Sequence, residues 1–273
     1  MSKATPLQIE AIFAEMGEVG MLLHQMGAAE GGAGNISAGV RDPLEIRHLF
    51  PNQEQIQLPD PVPALAGMTF IASGSGCRLR DIQKNPTANL GCILVNEDGE
   101  TARLFTGDDR RFSRLTSEFN SHLIVHNDQM AGGELKFHAV LHAQPLYVTY
   151  LSHIERYQDE TYFNLHLMRW EPETILQFPQ GIGVLKYKVP GSLAIAEATA
   201  GSLRSHVLAV WSHHGVICRS DISLLRTFDL VEYAETAAHY EYLNLVAGEP
   251  GSGLSVDELR ELCRNLNIQQ EVY

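Results

Sequence analysis

The chain has little of several things. Its four cysteines, Cys77, Cys92, Cys218 and Cys263, lie far apart and form no CxxC pair. That excludes a disulfide framework and a zinc ribbon, and it fits a reduced, cytoplasmic protein. No apolar run reaches the roughly 18 residues of a membrane-spanning helix. The N-terminus lacks a basic segment followed by an apolar stretch, so no secretory signal is expected. Basic charge is scarce: 20 Lys and Arg stand against 33 Asp and Glu, a net charge of −13. This argues against nucleic acid and anionic membranes as partners. It leaves room for an anionic small substrate in a locally positive pocket.

What is present is an ordinary globular composition, 44% hydrophobic over 273 residues, with no internal repeat or low-complexity tract. Thr5-Pro6-Leu7-Gln8 reads as a helix start, with a cap, Pro at the first position and Gln at the third. Ile9, Ile12, Phe13, Met16, Val19, Leu22 and Leu23 follow at helical spacing as far as Gly27. Gly-rich residues 30–37 read as a turn with Asn35 in a loop, and 42–63 as a long irregular excursion. Strands are expected at 68–72, 90–95, 102–105, around the apolar run 139–141, and at 175–178, 183–187 and 207–211. Helices are expected from Thr116 to about Asn127, and over 146–153, 192–206 and 221–246. Ser255 opens a last one through a capping box. Helices and strands alternate, with hairpins mixed in. The fold class that follows is α/β (mixed α+β): one domain over residues 1–273, its mixed sheet covered by helices.

Five segments carry candidate chemistry. The run Ala139 to Leu141 delivers His142 and Gln144 to one side of an extended chain. A second apolar run, 207–211, ends in Ser212-His213-His214-Gly215. His142, Gln144 and His214 can together hold Zn²⁺, although a Gln amide oxygen is a weaker ligand than imidazole. The alternative is polar residues at strand ends. Ser73-Gly74-Ser75-Gly76 follows a strand and can cradle a phosphate, or is a tight turn. Thr116-Ser117-Glu118 opens a helix. It can bind an anion and present Glu118 as a general base, or is a cap with an acidic first turn. Asn35 can hold a phosphate or an enediolate oxygen, or is a turn residue.

The ordered set of Gly34-Asn35-Ile36, Phe70 to Gly76, Pro86 to Gly91, Thr116-Ser117-Glu118, the His142 flanks, Phe178 to Gly183, Val189 to Ser192 and His214-Gly215-Val216 resembles the class II aldolase/adducin family over about residues 10 to 270. The Phe-Pro-x-Gly and Val-Pro-Gly stretches point to its rhamnulose branch over the shorter fuculose branch. The resemblance implies a central mixed, largely antiparallel sheet flanked by helices, assembled as a homotetramer. It implies a lyase that cleaves a phosphorylated ketose to dihydroxyacetone phosphate and an aldehyde through a metal-stabilised enediolate, with one Zn²⁺ per subunit. On this pattern His142 and His214 are metal ligands and Glu118 is the catalytic acid/base. Asn35, Ser75, Gly76, Thr116 and Ser117 face phosphate or substrate, and Glu173 serves the aldehyde end. The chain departs from the pattern twice. Gln144 stands where the family has its second ligand histidine, and Gly32 where the rhamnulose enzymes tend to have Asn. Gln144 as ligand, His213 or His138 as stand-in, or loss of the metal all follow from the first departure. The alternatives to the lyase are a non-catalytic sugar-phosphate-binding relative and a family 4-epimerase or dehydratase.

Overall fold

The computed structural model describes residues 8–273. In chain order the elements are α1 (Ile9–Met26), β1 (Asn35–Val40), β2 (Asn52–Gln57), β3 (Thr69–Ser73), α2 (Pro86–Asn89), β4 (Leu90–Val95), β5 (Thr101–Thr106), α3 (Phe119–Met130) and β6 (Phe137–Ala143). They continue with α4 (Leu146–Leu151), α5 (Glu160–Leu167), α6 (Pro172–Gln177), β7 (Gly183–Leu185), α7 (Leu193–Ser202), β8 (Leu208–Trp211), β9 (Gly215–Ser220), α8 (Leu224–Val246) and α9 (Val256–Asn265). The strands form one nine-stranded sheet in the order β2-β5-β4-β3-β1-β6-β9-β8-β7. Every neighbouring pair is antiparallel except β7 and β8. This is the mixed, largely antiparallel sheet expected from the sequence.

Alternation along the central strands sorts the core onto two faces. Ala139 and Leu141 of β6 pack with Val216 and Cys218 of β9 against α1, α4 and α8. Val140, Ala209, Trp211 and Ile217 point the other way, toward α3 and α7. Helix α1 is held by Ile12, Met16, Val19 and Leu23, all buried on one stripe. Each such side chain stabilises the fold by about 1.5–3 kcal/mol. The helix stops at Gly27, whose φ of 79° is left-handed, and whose neighbour Ala28 returns its N–H to the Leu23 carbonyl.

Several expectations need correction. The cap proposed at Thr5 and Pro6 lies outside the described residues. Gln8, expected inside the first turn, is instead extended at the cap position of α1. Residues 42–63 are not wholly irregular: β2 forms an edge strand against β5. Its Asn-Gln-Glu-Gln-Ile-Gln sequence faces solvent and carries no apolar signal. Residues 175–178 are not a strand but the end of α6, which starts with Pro172 in its first turn. Asn35 is not a loop residue; it opens the buried strand β1. Helix α5 and strand β9 were not anticipated. The 90–106 hairpin follows the sequence closely and the Ser255–Glu258 capping box is present, whereas α3 runs three residues later at each end than the expected 116–127, with Glu118 as its cap.

A candidate metal and acid/base site

The site lies on the α3 face of the sheet. Strand β6 turns His138, Val140 and His142 toward that face, in register with Gly39, Ser37 and Asn35 of β1. The tight turn from β8 to β9 brings in His214, whose backbone N–H bonds the Trp211 carbonyl at 2.9 Å. Gly215 makes this approach possible, because a Cβ there would sit 2.4 Å from the Ala143 carbonyl oxygen. Glu118 occupies the cap position of α3 and is 5% exposed.

The three side chains converge. Glu118 Oε2 lies 3.7 Å from His142 Nε2, and Oε1 lies 3.5 Å from His214 Nε2. One ligand atom from each falls within 4.8 Å of the others, a spacing that can hold a metal ion. The donor chemistry fits a divalent cation: two imidazole nitrogens and a carboxylate, all poor in other partners. His142 Nδ1 donates to the Val216 carbonyl at 2.8 Å, so in the neutral ring the bare lone pair of Nε2 faces the site. Trp211 stacks on both rings, with centroids 4.9 Å from His142 and 5.4 Å from His214. Burial raises the Glu118 carboxyl, but His142, the Asn35 hydrogen bond, His214 and His122 together pull it lower, so it stays ionised. Burial, with His142 beside it, pushes the His214 imidazole down against the pull of Glu118 and favours the neutral, metal-ready form.

The other residues singled out in the sequence are distributed as follows. Asn35 is buried and donates from Nδ2 to Glu118 Oε2 at 2.8 Å. The 73–76 loop runs beside the 113–117 segment: Ser75 N–H bonds the Arg114 carbonyl at 2.9 Å, and Thr116 N–H bonds the Ser73 carbonyl at 3.0 Å. The Ser75 amide is therefore spent on the loop itself, and Gly76 takes a φ of 76° at its exposed tip. Thr116 and Ser117 line a cleft of about 550 Å³ with Arg114 and Asn120. Gly32 touches this loop, since a Cβ there would lie 3.2 Å from the Gly76 carbonyl. Gln144 falls one residue beyond β6, with its N–H on the Ala28 carbonyl at 2.8 Å. It lines a separate cleft of about 480 Å³ with His214, Glu30, His153 and His213. His213 bonds His153 and Gln158, and His138 bonds His126, so neither joins the three-residue cluster. Glu173 is exposed in the first turn of α6 and makes no hydrogen bond or ion pair with the cluster.

Residues 14–242 match the family described as "Class II Aldolase and Adducin N-terminal domain". The chain belongs to this family. Among its class II aldolase relatives, the rhamnulose-1-phosphate aldolase of Klebsiella pneumoniae subsp. pneumoniae is 33% identical over 78% of this chain and 76% of the relative. That of Bacteroides thetaiotaomicron is 28% identical over 93% of each chain. The fold matches a sugar-phosphate aldolase from Thermotoga maritima, with a TM-score of 0.74 and 24% identity over 90% of this chain and 99% of that one. It also matches an L-fuculose 1-phosphate aldolase, with a TM-score of 0.58 and 19% identity over 94% and 97%. The class II aldolases are metal-dependent lyases, and the Glu118–His142–His214 cluster is a group able to hold that metal.

Sequence reasoning missed four residues of the site. Trp211 was read only as the end of an apolar run. Ser37 was read only as the end of a Gly-rich turn, and His122 and His126 went unread. The signal was there: Glu118, His122 and His126 are spaced i, i+4, i+8, and Asn35 and Ser37 are spaced i, i+2, so each set shares one face.

Proposed function

We propose that this protein is a metal-dependent aldolase of one domain, residues 1–273, that cleaves a phosphorylated ketose such as L-rhamnulose 1-phosphate to dihydroxyacetone phosphate and an aldehyde. The observation that carries this reading is the buried Glu118 carboxylate facing the Nε2 atoms of His142 and His214 at 3.7 and 3.5 Å. His142 and His214 would hold the metal, with the Gln144 amide oxygen or Glu118 itself completing the set. Zn²⁺ is the cation proposed, one per subunit; when bound it supplies Lewis-acid polarisation of the substrate's carbonyl and neighbouring hydroxyl oxygens. Glu118 then serves as the acid/base at the adjacent carbon, ionised and within the same pocket. The Thr116 and Ser117 hydroxyls, with Ser75 and the Gly76 loop tip, take the phosphate. Asn35 holds both Glu118 and a substrate oxygen. Glu173, exposed and remote from the cluster of its own subunit, is assigned to the aldehyde end of a neighbouring site. That assignment requires the homotetramer that the resemblance implies. Among the described residues no helix is long and apolar enough to cross a membrane, and we place the enzyme in the cytoplasm.

Gln144 favours a second reading, a sugar-phosphate-binding protein without lyase chemistry, because losing one imidazole weakens a metal site. A family 4-epimerase or dehydratase would reuse the same cluster with other acid/base groups. The deciding experiment measures metal by elemental mass spectrometry on untagged wild type and His142→Ala, beside a dihydroxyacetone phosphate release assay. Near-stoichiometric metal and turnover in wild type, both lost in His142→Ala, support the aldolase. Wild type that stays metal-free and inactive after zinc is added removes it. Metal without release of dihydroxyacetone phosphate turns attention to the epimerase and dehydratase reactions.

A further inference from the structure

A line of buried polar groups leaves Glu118 and runs into the protein along the α3 face of the sheet. Asn35 Nδ2 meets Glu118 Oε2 at 2.8 Å, and Asn35 Oδ1 meets His122 Nε2 at 2.5 Å. His122 Nδ1 meets the Ser37 hydroxyl at 2.7 Å, and that oxygen meets His126 Nε2 at 2.8 Å. His126 Nδ1 then meets His138 Nδ1 at 2.8 Å. All six residues are buried, and Ser37 and the three histidines have no exposed surface at all. We infer that Asn35, His122, Ser37, His126 and His138 form a one-way hydrogen-bond chain that fixes the Glu118 carboxylate, making Ser37 and His122 positioning residues for its proton transfer.

The direction follows by elimination. An ionised carboxylate only accepts, so the amide NH₂ of Asn35 faces Glu118 and its oxygen faces His122. His122 must then carry its proton on Nε2, which leaves Nδ1 bare in a neutral ring. The Ser37 hydroxyl donates to that nitrogen and accepts from His126 Nε2. His126 Nδ1 is bare in turn and accepts from His138 Nδ1. The last atom, His138 Nε2, is a bare lone pair, and it has no hydrogen-bond partner among the described residues. A chain running the other way would end there on a buried, unpaired N–H, the costlier orphan. Burial keeps all three rings neutral, lowering His122 and His138 to about 3 and His126 well below its ordinary value. Each donor points toward Glu118, so every link adds to the field that holds the carboxylate, and neighbouring links polarise one another. The amide of Asn35 cannot pass a proton along as a hydroxyl or imidazole can. The chain therefore orients Glu118; it does not feed it protons.

Room for the chain comes from one glycine. Phe70 lies over Gly39, where a Cβ would come within 2.2 Å of its ring, and packs on His126 with ring centroids 4.9 Å apart.

This inference rests on the acid/base role of Glu118, and two measurements separate its failure from the failure of that role. Neutron diffraction from deuterated crystals of wild type places the ring deuterons directly. The expected pattern is deuterons on His122 Nε2, His126 Nε2 and His138 Nδ1, one per ring. A deuteron on His122 Nδ1, or two on any of the three rings, overturns the chain whether or not the protein is an enzyme. The second measurement is steady-state kinetics of Ser37→Ala and Ser37→Thr. Ser37→Ala cuts the chain at its middle and is nearly isosteric. It should lower kcat about tenfold with KM within twofold, and the Thr hydroxyl should recover most of the loss. Unchanged kcat in a folded Ser37→Ala, or a loss expressed only in KM, overturns the positioning role. If wild type has no lyase activity the proposed function falls, and the neutron map still decides the chain. It also decides if Ser37→Ala does not fold.

Discussion

Among the described residues three glutamates are buried, Glu118, Glu235 and Glu241, and the first and last are used in opposite ways. Glu241 of α8 is 1% exposed and surrounded by donors. Tyr157 gives it a hydroxyl, His166 Nδ1 a bond at 3.1 Å, Arg169 Nη2 one at 3.0 Å and Trp170 Nε1 one at 2.8 Å. Glu118, across the sheet, has among the described residues one side-chain donor, Asn35, and two imidazoles held beyond hydrogen-bond distance. A carboxylate whose lone pairs are all engaged is a clamp, here tying α5 and the segments on either side of it to α8. A carboxylate left short of donors in a buried pocket keeps its lone pairs for a metal or a substrate proton. Counting donors separates the two roles where burial alone does not.

The largest effect that can break this contrast is on turnover. Glu118→Gln keeps the shape and the Asn35 contact and removes the acid/base. It should lower turnover by about 10²–10⁴-fold in a dihydroxyacetone phosphate release assay. Thermal unfolding should be unmoved or slightly raised, because a carboxylate short of partners is a cost to the fold. Turnover within a factor of three of wild type would remove Glu118 from the chemistry. A large drop in melting temperature would make it a clamp like Glu241.

Glu241→Gln tests the other half. Two donors would face an amide NH₂ in place of an oxygen, and a buried donor without an acceptor costs about 1–3 kcal/mol. Stability in urea should fall by about 3 kcal/mol, with turnover per folded molecule unchanged. A loss below about 0.5 kcal/mol would show that the four contacts do little for the fold.

The contrast was half legible in the sequence. Glu118, His142 and His214 stand in motifs whose order resembles a known family, and the amphipathic stripes of α1 and α8 fix where the sheet's other face is covered. Glu241 and the donors from Tyr157 to Trp170 carry no local signal. The donors come from α5, a helix the sequence did not announce, and from the segments on either side of it, and they meet Glu241 only through long-range packing. The His122–His126 spacing was legible in principle. A polar stripe at helical period ordinarily marks the solvent side of a helix, and here it faces the sheet because β1 offers Asn35 and Ser37 to receive it. Strand β2 was missed because an edge strand need bury nothing, and 175–178 was misread because a short apolar run does not distinguish strand from helix.

Acid sharpens the comparison further. His122, His126 and His138 are held neutral in the fold, with pKa values below the 6.5 of an unfolded histidine. The unfolded chain therefore binds protons first as pH falls below about 6.5, so stability drops from there down toward the folded values and is unaffected above. Each ring contributes a slope of about 1.4 kcal/mol per pH unit once the unfolded form is protonated. Replacing His126 by Gln should flatten the urea-derived stability profile between pH 6 and 4 by about one such slope. An unchanged slope would mean that His126 is charged in the folded protein, which the one-way chain does not permit.

The smallest effect expected is the coupling between the two regions. Glu118 and Glu241 share no partner and lie on helices covering opposite faces of the sheet, α3 with Val125 on one side and α8 with Val231 on the other. The stability changes of Glu118→Gln and Glu241→Gln should therefore add, to within about 0.5 kcal/mol in the double variant. One route could carry coupling. Glu235 of α8 accepts the backbone N–H groups of Tyr147 and Val148 at the start of α4, which follows directly on the His142 strand. A coupling above about 1 kcal/mol would mean that α8 reaches the site through α4. Repeating the double variant in a Glu235→Gln background would then separate that route from any path through the sheet: coupling carried by α4 should vanish, and coupling carried by the sheet should persist.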